Sequence, residues 1–234
     1  MMKNYRTLLF DVDDTLLDFG AAEKQALTLL FEEQQLLLTA EIESRYGQIN
    51  QSLWKAFEEG KIGRDEVVNT RFSTLFKELE KEIDGILFEQ KYRNYLNEGH
   101  DLMVGAFDLV QELKDDYDLY IVTNGISKTQ YRRLRDSGLY PLFKDIFVSE
   151  DTGFQKPMKA YFDYVFARIP NFSKEQTLII GDSLTSDIKG GQLAGIATCW
   201  FNPENKVNET GIEPDYQIQT LEELYQILQK QLVK

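Results

Sequence analysis

Three aspartates lie within four positions at the end of an apolar run, in the stretch FDVDDTLLDF over residues 10–19. Asp11, Asp13 and Asp14 either face solvent on a turn or share a site that needs concentrated negative charge. Carboxylates a few Å apart raise one another's pKa, so a shared site requires a counter-charge. A bound cation or a cationic side chain from elsewhere in the chain must therefore complete it.

Polar residues also follow later apolar runs of the strand type. They are Thr123, Asn124, Gly125, Lys156, Asp182 and Asp187. Sites in open parallel sheets form outside the carboxyl ends of the strands, so neighbouring strands would bring these residues into one crevice. Oxygen ligands without histidine or thiolate favour Mg²⁺, which tends to bind a substrate phosphate. The pattern predicts a Mg²⁺ site that receives a phosphoryl group.

The elements that must position these residues are predicted from hydrophobic patterning. The predicted strands are TLLFDV (7–12), DLYIVTNG (118–125), KDIFVSE (144–150), TLIIGD (177–182), GIATCWF (195–201) and DYQIQ (215–219). From the second strand onward, helical stretches separate them. Alternating helices and fully apolar strands predict a Rossmann-like α/β fold, with a parallel sheet covered by helices on both faces.

Between about Gly20 and Gly99 the patterning is helical, and no strand-like alternation stands out. This segment predicts a helical bundle inserted after the first strand. The expected domains are an α/β core, residues 1–17 and 103–234, and a helical cap, residues 18–102. A cap inserted at the carboxyl edge of the sheet would act as a lid over the site.

Composition excludes several classes of function. The chain has 26 basic and 39 acidic residues and a net charge of −13, which disfavours binding to nucleic acid or anionic membranes. The single cysteine, Cys199, excludes an internal disulfide and a cysteine-based zinc site, and the single histidine, His100, excludes histidine clusters. We expect a cytoplasmic monomer or dimer with a small-molecule partner, no nucleic acid and no membrane.

Taken together and in order, the polar segments resemble the four motifs of the haloacid dehalogenase (HAD) superfamily. These are D-x-D-x-T from Asp11, T-N-G from Thr123, K-P from Lys156, and G-D-x-x-x-x-D through Asp182 and Asp187. The helical insertion is similar to the cap that this superfamily places after its first strand. An aspartate at position 13 indicates phosphate transfer, because expelling a halide needs no protonation.

The resemblance implies roles at the reacting centre. Asp11 would attack phosphorus to form an aspartyl-phosphate, and Asp13 would protonate the leaving oxygen and then activate water. Thr123 would hold phosphate oxygens together with nearby backbone N–H groups, and Asn124 and Gly125 are predicted to bind the substrate.

The remaining roles concern charge and metal. Lys156 would neutralise the phosphoryl group and Asp11. Asp182 would bind Mg²⁺ together with Asp11 and the Asp13 carbonyl group, and Asp187 would orient the lysine or metal-bound water.

Each motif has a structural alternative when taken singly. Asp13 and Thr15 could cap a turn or a helix, and Asp182 and Asp187 could be acids favoured at a helix N-terminus. Lys156 could be a surface lysine, and T-N-G could be an ordinary turn. The ordered set of four motifs, each after a predicted strand, favours the functional interpretation.

The substrate class is predicted from the cap. Trp54 and Phe72 could stack on a base, and Asn50 or Arg71 could hydrogen-bond its edge; alternatively, the aromatic residues form the bundle core and Arg71 lies at the surface. The nearly full-length similarity to the pyrimidine-nucleotide 5′-nucleotidase branch implies nucleoside monophosphates such as UMP, dUMP and dTMP. The alternative is a phosphatase or phosphoglucomutase acting on sugar phosphates or other small phosphomonoesters.

Overall fold

The computed structural model describes residues 4–228 and divides the chain into two compact units. The first unit comprises Met1–Asp18 and His100–Lys234, and the second comprises Phe19–Gly99. The chain thus leaves the first unit after one strand and returns to it before the next. The functional division into an α/β core and a cap over residues 18–102 stays a prediction.

The first unit is built on a six-stranded parallel sheet of order β3-β2-β1-β4-β5-β6. The strands are β1 (Thr7–Phe10), β2 (Asp118–Thr123), β3 (Asp145–Val148), β4 (Thr177–Gly181), β5 (Ala197–Phe201) and β6 (Tyr216–Ile218). In the centre, Phe10 pairs with Ile121 on one side and with Ile180 on the other. The strand order reverses between β1 and β4, the place where open α/β sheets bind ligands.

Helices connect the strands and form the second unit. They are α1 (Phe19–Glu33), α2 (Ala40–Glu58), α3 (Arg64–Glu78), α4 (Gly85–Leu96), α5 (Ala106–Leu113), α6 (Ser127–Asp136), α7 (Ser149–Thr152), α8 (Lys159–Phe166), α9 (Lys189–Ala194) and α10 (Leu224–Leu228). Across residues 4–228, none of the helices is long and apolar enough to cross a membrane.

The sheet has an apolar core on each face because its side chains alternate along each strand. Leu8 and Phe10 pack in one core with residues of α5, α6 and α10, whereas Leu9 packs in the other with residues of α8 and α9. All four residues of β1 are buried, as expected for a parallel strand covered on both sides. The Rossmann-like fold class predicted from the sequence is confirmed.

The second unit consists of α1 to α4 around its own apolar core, in which α1 packs on α4 and α3 packs on both α2 and α4. Polar side chains set two of the helix starts. The Thr39 hydroxyl accepts the Ile42 N–H at 3.3 Å before α2, and the Asp84 carboxylate accepts the Leu87 N–H at 3.0 Å before α4. The helical character expected for this segment is observed.

Candidate active site

Three neighbouring strands deliver polar residues to one edge of the sheet. Asp11 directly follows β1, Thr123 ends β2, and Asp182 directly follows β4. Because β1 lies between β2 and β4, Asp11 is central among them. Its backbone N–H continues the ladder by donating to the Ile180 carbonyl oxygen at 2.9 Å.

Lys156 reaches this group from the loop after α7, and its side chain is 2% exposed. Its Nζ donates to Asp11 Oδ1 and to Asp187 Oδ1, both at 2.6 Å, and to the Val122 carbonyl oxygen at 2.8 Å. Burial lowers the pKa of Lys156, but the charges of Asp11 and Asp187 outweigh burial and raise it above its usual value. The lysine is therefore a fixed cation between two carboxylates.

Asp11, Asp182 and Asp187 together form a carboxylate cluster, in which one oxygen from each lies within 4.8 Å of the others. Burial raises the pKa of Asp11 to about 8; the charges of Asp187 and Asp13 add to this, and Lys156 opposes it. Burial also raises the pKa of Asp182 well above its usual value, with Asp11 and Asp187 adding to the effect. One lysine does not neutralise three carboxylates, so the cluster is suited to a further cation.

The donor set fits a hard divalent cation. Its ligands are carboxylate oxygens, which Mg²⁺ prefers over the nitrogen and sulfur ligands typical of zinc. Asp187 is already committed through both oxygens, since Oδ1 accepts from Lys156 and Oδ2 accepts the Ser183 N–H at 3.1 Å. Asp11 and Asp182 are therefore the carboxylates that would hold the ion, while Asp187 is hydrogen-bonded to the lysine.

A wide π-helical turn at Leu184–Ile188 presents Asp187 to the cluster. A Cβ atom on Gly181 would lie 2.2 Å from Asp187 Oδ2, so only glycine at the end of β4 leaves room for this carboxylate. The Thr15 hydroxyl accepts the Asp182 N–H at 3.1 Å, and Trp200 Nε1 donates to the Asp182 carbonyl oxygen at 2.7 Å. Sequence reasoning missed Trp200, because an apolar strand residue carries no local signal of this contact.

Asn124 joins the end of β2 to the lysine loop. Its Oδ1 accepts the Lys156 N–H, and its Nδ2 donates to the Lys156 carbonyl oxygen, both at 2.8 Å. A Cβ atom on Gly125 would lie 2.5 Å from Gln130 Cγ, so this glycine allows the first turn of α6 to pack closely. Both residues thus support neighbouring site residues, and their contact with substrate stays a prediction.

Asp13 contacts two residues of α6 that sequence reasoning did not single out. Its Oδ1 forms an ion pair with Arg133 Nη1, and its Oδ2 accepts from Gln130 Nε2 at 2.7 Å. The Gln130 side chain also donates to the Thr123 hydroxyl at 2.9 Å. The available sequence signal was a glutamine and an arginine three positions apart, hence on one face of the helix that follows T-N-G.

Asn50, Trp54 and Arg71, the predicted base-contacting residues, lie in the second unit. Arg71 is 1% exposed, and its guanidinium donates to both Glu89 oxygens, at 2.8 and 2.7 Å, and to Asn50 Oδ1 at 3.1 Å. Asn50 in turn donates to Glu23 at 2.9 Å, and Trp54 is half-buried. Arg71 is therefore not the surface residue considered as an alternative, and substrate contact stays a prediction for all three.

The buried ion pair of the second unit yields a stability prediction. Replacing Arg71 by methionine leaves the 4%-exposed Glu89 paired with Arg93 but without its bidentate partner, and we expect a loss of about 1–3 kcal/mol in the free energy of unfolding, measured with urea. The control is Arg45→Met, which breaks an exposed pair with Glu78 and should change stability far less. Equal effects of the two variants would contradict this account.

Comparison with known proteins gives consistent matches over most of the chain. The sequence-family model of haloacid dehalogenase-like hydrolases matches residues 5–195. The HAD-hydrolase YfnB of Bacillus subtilis is 69% identical over 97% of both chains. A crystal structure of YfnB bound to magnesium aligns with a TM-score of 0.92, covering 97% of this chain and 99% of that chain.

A further relative is the pyrimidine 5′-nucleotidase PynA of Streptococcus pneumoniae, 44% identical over 98% of both chains. The pyrimidine 5′-nucleotidase YjjG of Escherichia coli is 32% identical over 95% of this chain and 97% of its own. These matches confirm the family assignment made from the four motifs. The chain belongs to the haloacid dehalogenase-like hydrolase family.

Proposed function

We propose that this chain is a Mg²⁺-dependent phosphoric monoester hydrolase that releases phosphate from nucleoside 5′-monophosphates with a pyrimidine base. The observation that carries the reaction is Lys156 Nζ, 2.6 Å from both Asp11 and Asp187 within the carboxylate cluster. A nucleophile beside a buried cation, with a second carboxyl group two residues on, suits transfer of a phosphoryl group. The substrate class rests on the names of PynA and YjjG, which are pyrimidine 5′-nucleotidases.

Asp11 and Asp13 divide the chemistry between them. Asp11 attacks phosphorus, the bond from phosphorus to the nucleoside 5′-oxygen breaks, and Asp13 supplies the proton that this oxygen takes up. In the second step Asp13 takes a proton from the water that attacks phosphorus. The bond between Asp11 and phosphorus then breaks, which releases phosphate and restores the carboxylate.

The other residues bind the phosphoryl group and neutralise negative charge around it. The Thr123 hydroxyl donates to a phosphoryl oxygen, and Lys156 favours the ionised form of Asp11 and offsets the charge of the phosphoryl group. Bound Mg²⁺ would neutralise negative charge on Asp11, Asp182 and the phosphoryl oxygens. The oxygen donor set supports this metal, as does the magnesium bound to the relative YfnB.

The proposal is tested by measuring phosphate release from a panel of monophosphates, with Mg²⁺ or with EDTA. We expect kcat/KM to be higher for UMP, dUMP and dTMP than for AMP, GMP and sugar phosphates, and EDTA to remove the activity. Equal rates on sugar phosphates would overturn the nucleotide assignment and favour a general small-molecule phosphatase. No phosphate release from any monoester would overturn the proposed reaction.

A further inference from the structure

Asp13 is held by side chains from a distant part of the chain. Its two oxygens accept from different residues of α6: Oδ1 from Arg133 Nη1 and Oδ2 from Gln130 Nε2 at 2.7 Å. The Arg133 side chain is 1% exposed and that of Asp13 is 30% exposed. A buried guanidinium therefore extends from the helix toward a carboxylate at the open edge of the sheet.

Gln130 connects this carboxylate to the residue expected to hold phosphate. Its Nε2 donates to Asp13 Oδ2 at 2.7 Å and to Thr123 Oγ1 at 2.9 Å, and its Oε1 accepts from Arg133 Nη1 at 3.4 Å. Because the Thr123 hydroxyl accepts from Gln130, its own proton is directed elsewhere and is suited to a phosphoryl oxygen. One side chain thus sets the geometry of both Asp13 and Thr123.

Burying an arginine carries a large desolvation penalty, which a well-placed carboxylate and further hydrogen bonds can offset. A hydrophobic residue at this position of α6 would pack without that penalty. The arginine is therefore better explained by its ion pair with Asp13 than by a contribution to packing of the core. Proton transfer needs its acid within hydrogen-bond reach of the leaving oxygen, so a fixed carboxylate favours the reaction.

We propose that Arg133 and Gln130 are positioning residues that fix the Asp13 carboxylate beside Thr123 for protonation of the leaving oxygen. Neither residue touches the reacting atoms; both act through Asp13 and Thr123. The proposal rests on the proposed function, in which Asp13 is the acid and base. It predicts that losing either residue slows phosphate release most for the substrates whose leaving oxygen most needs a proton.

The test compares two leaving groups. For Arg133→Met and Gln130→Met we expect kcat on UMP to fall by about 10²-fold or more, the size typical of lost acid–base catalysis, with KM nearly unchanged. On p-nitrophenyl phosphate, whose leaving group departs without a proton, kcat/KM, which reports the steps up to release of the leaving group, should fall by less than about tenfold. Arg133→Lys, which keeps the charge, should recover part of the loss on UMP. Arg132→Met, on the exposed side of the same helix, is the control.

A double-mutant comparison separates positioning from a general structural role. In an Asp13→Asn background, Arg133→Met should add little further loss on UMP, because the group it positions is already disabled. The proposal would be overturned if Arg133→Met lowered activity equally on both substrates and if this loss added fully to the loss caused by Asp13→Asn. If Arg133→Met does not fold, the comparison is read from Gln130→Met, which leaves the ion pair in place.

Assays of the wild-type protein distinguish failure of the positioning role from failure of the proposed function. If the wild type releases phosphate from UMP but the variants lose activity equally on both leaving groups, the positioning role alone is overturned. If the wild type cleaves other alkyl phosphomonoesters but not UMP, the nucleotide assignment fails, and the same comparison is made on the best alkyl substrate. Absence of all phosphatase activity would overturn both.

Discussion

Asp11→Asn is expected to lower kcat for phosphate release by more than about 10⁴-fold, as loss of a nucleophile does in other covalent mechanisms. The neutral amide is a poor nucleophile toward phosphorus, and it also removes one of the two carboxylates assigned to the metal. The fold should be retained, because the asparagine oxygen can still accept from Lys156 Nζ and Asp187 still pairs with the lysine. Phosphate release from UMP under saturating Mg²⁺ measures the effect.

The chain offers a matched control three residues away. Asp14 has a φ of 56°, a left-handed conformation that asparagine tolerates better than most residues, so Asp14→Asn removes a charge from the same loop without strain. We expect it to retain activity within a few-fold of wild type. Near-normal activity in Asp11→Asn would refute the nucleophile assignment, and rapid acid quench of the wild type should trap phosphate on Asp11.

Lys156→Met is expected to lower kcat by about 10²–10³-fold, the size typical for loss of one group that stabilises transition-state charge. The 2%-exposed ammonium is the cation that Asp11 and Asp187 share. Removing it also leaves buried carboxylates without their partner, which costs about 3–5 kcal/mol when a buried ion pair is broken. Urea unfolding of the metal-free protein and kcat on UMP measure the two effects.

Mg²⁺ provides an internal check on this prediction. A ligand that binds only the folded state stabilises it, so added Mg²⁺ should restore part of the stability of Lys156→Met. The control is Lys159→Met, which removes an exposed lysine of the following helix that pairs with Asp163. Wild-type activity in Lys156→Met would contradict the role of the lysine, and equal destabilisation by both substitutions would contradict the importance of burial.

Much of the fold was predictable from local pattern. Each predicted strand is present in the first unit, and the helical texture between Gly20 and Gly99 corresponds to α1–α4. Strand ends were overestimated by one or two residues, as in DLYIVTNG, because the predicted segment included Asn124 and Gly125, which follow the observed strand. The segment before α9 was expected to be an ordinary helix and contains a π-helical turn, which admits Asp187 over Gly181.

The site was predictable as a set of residue types and only partly as a set of contacts. Asp11, Lys156 and Asp187 were expected to meet, and their atoms lie at hydrogen-bond distance. Asn124 was expected to contact substrate; it is hydrogen-bonded to the backbone of Lys156, and its contact with substrate stays a prediction. A polar residue at a strand end indicates a site, but the identity of its partner depends on which loop packs beside it.

The sequence by itself determined the class of fold and the chemistry available to it. Burial requires apolar strands to lie inside, and their polar ends must then collect at one edge of a parallel sheet. The tertiary structure decided the pairings between distant residues: Arg133 with Asp13, Trp200 with Asp182, and Arg71 with Glu89. Such pairings depend on strand order and on which helix face packs inward, and neither is encoded within a few residues of the groups that meet.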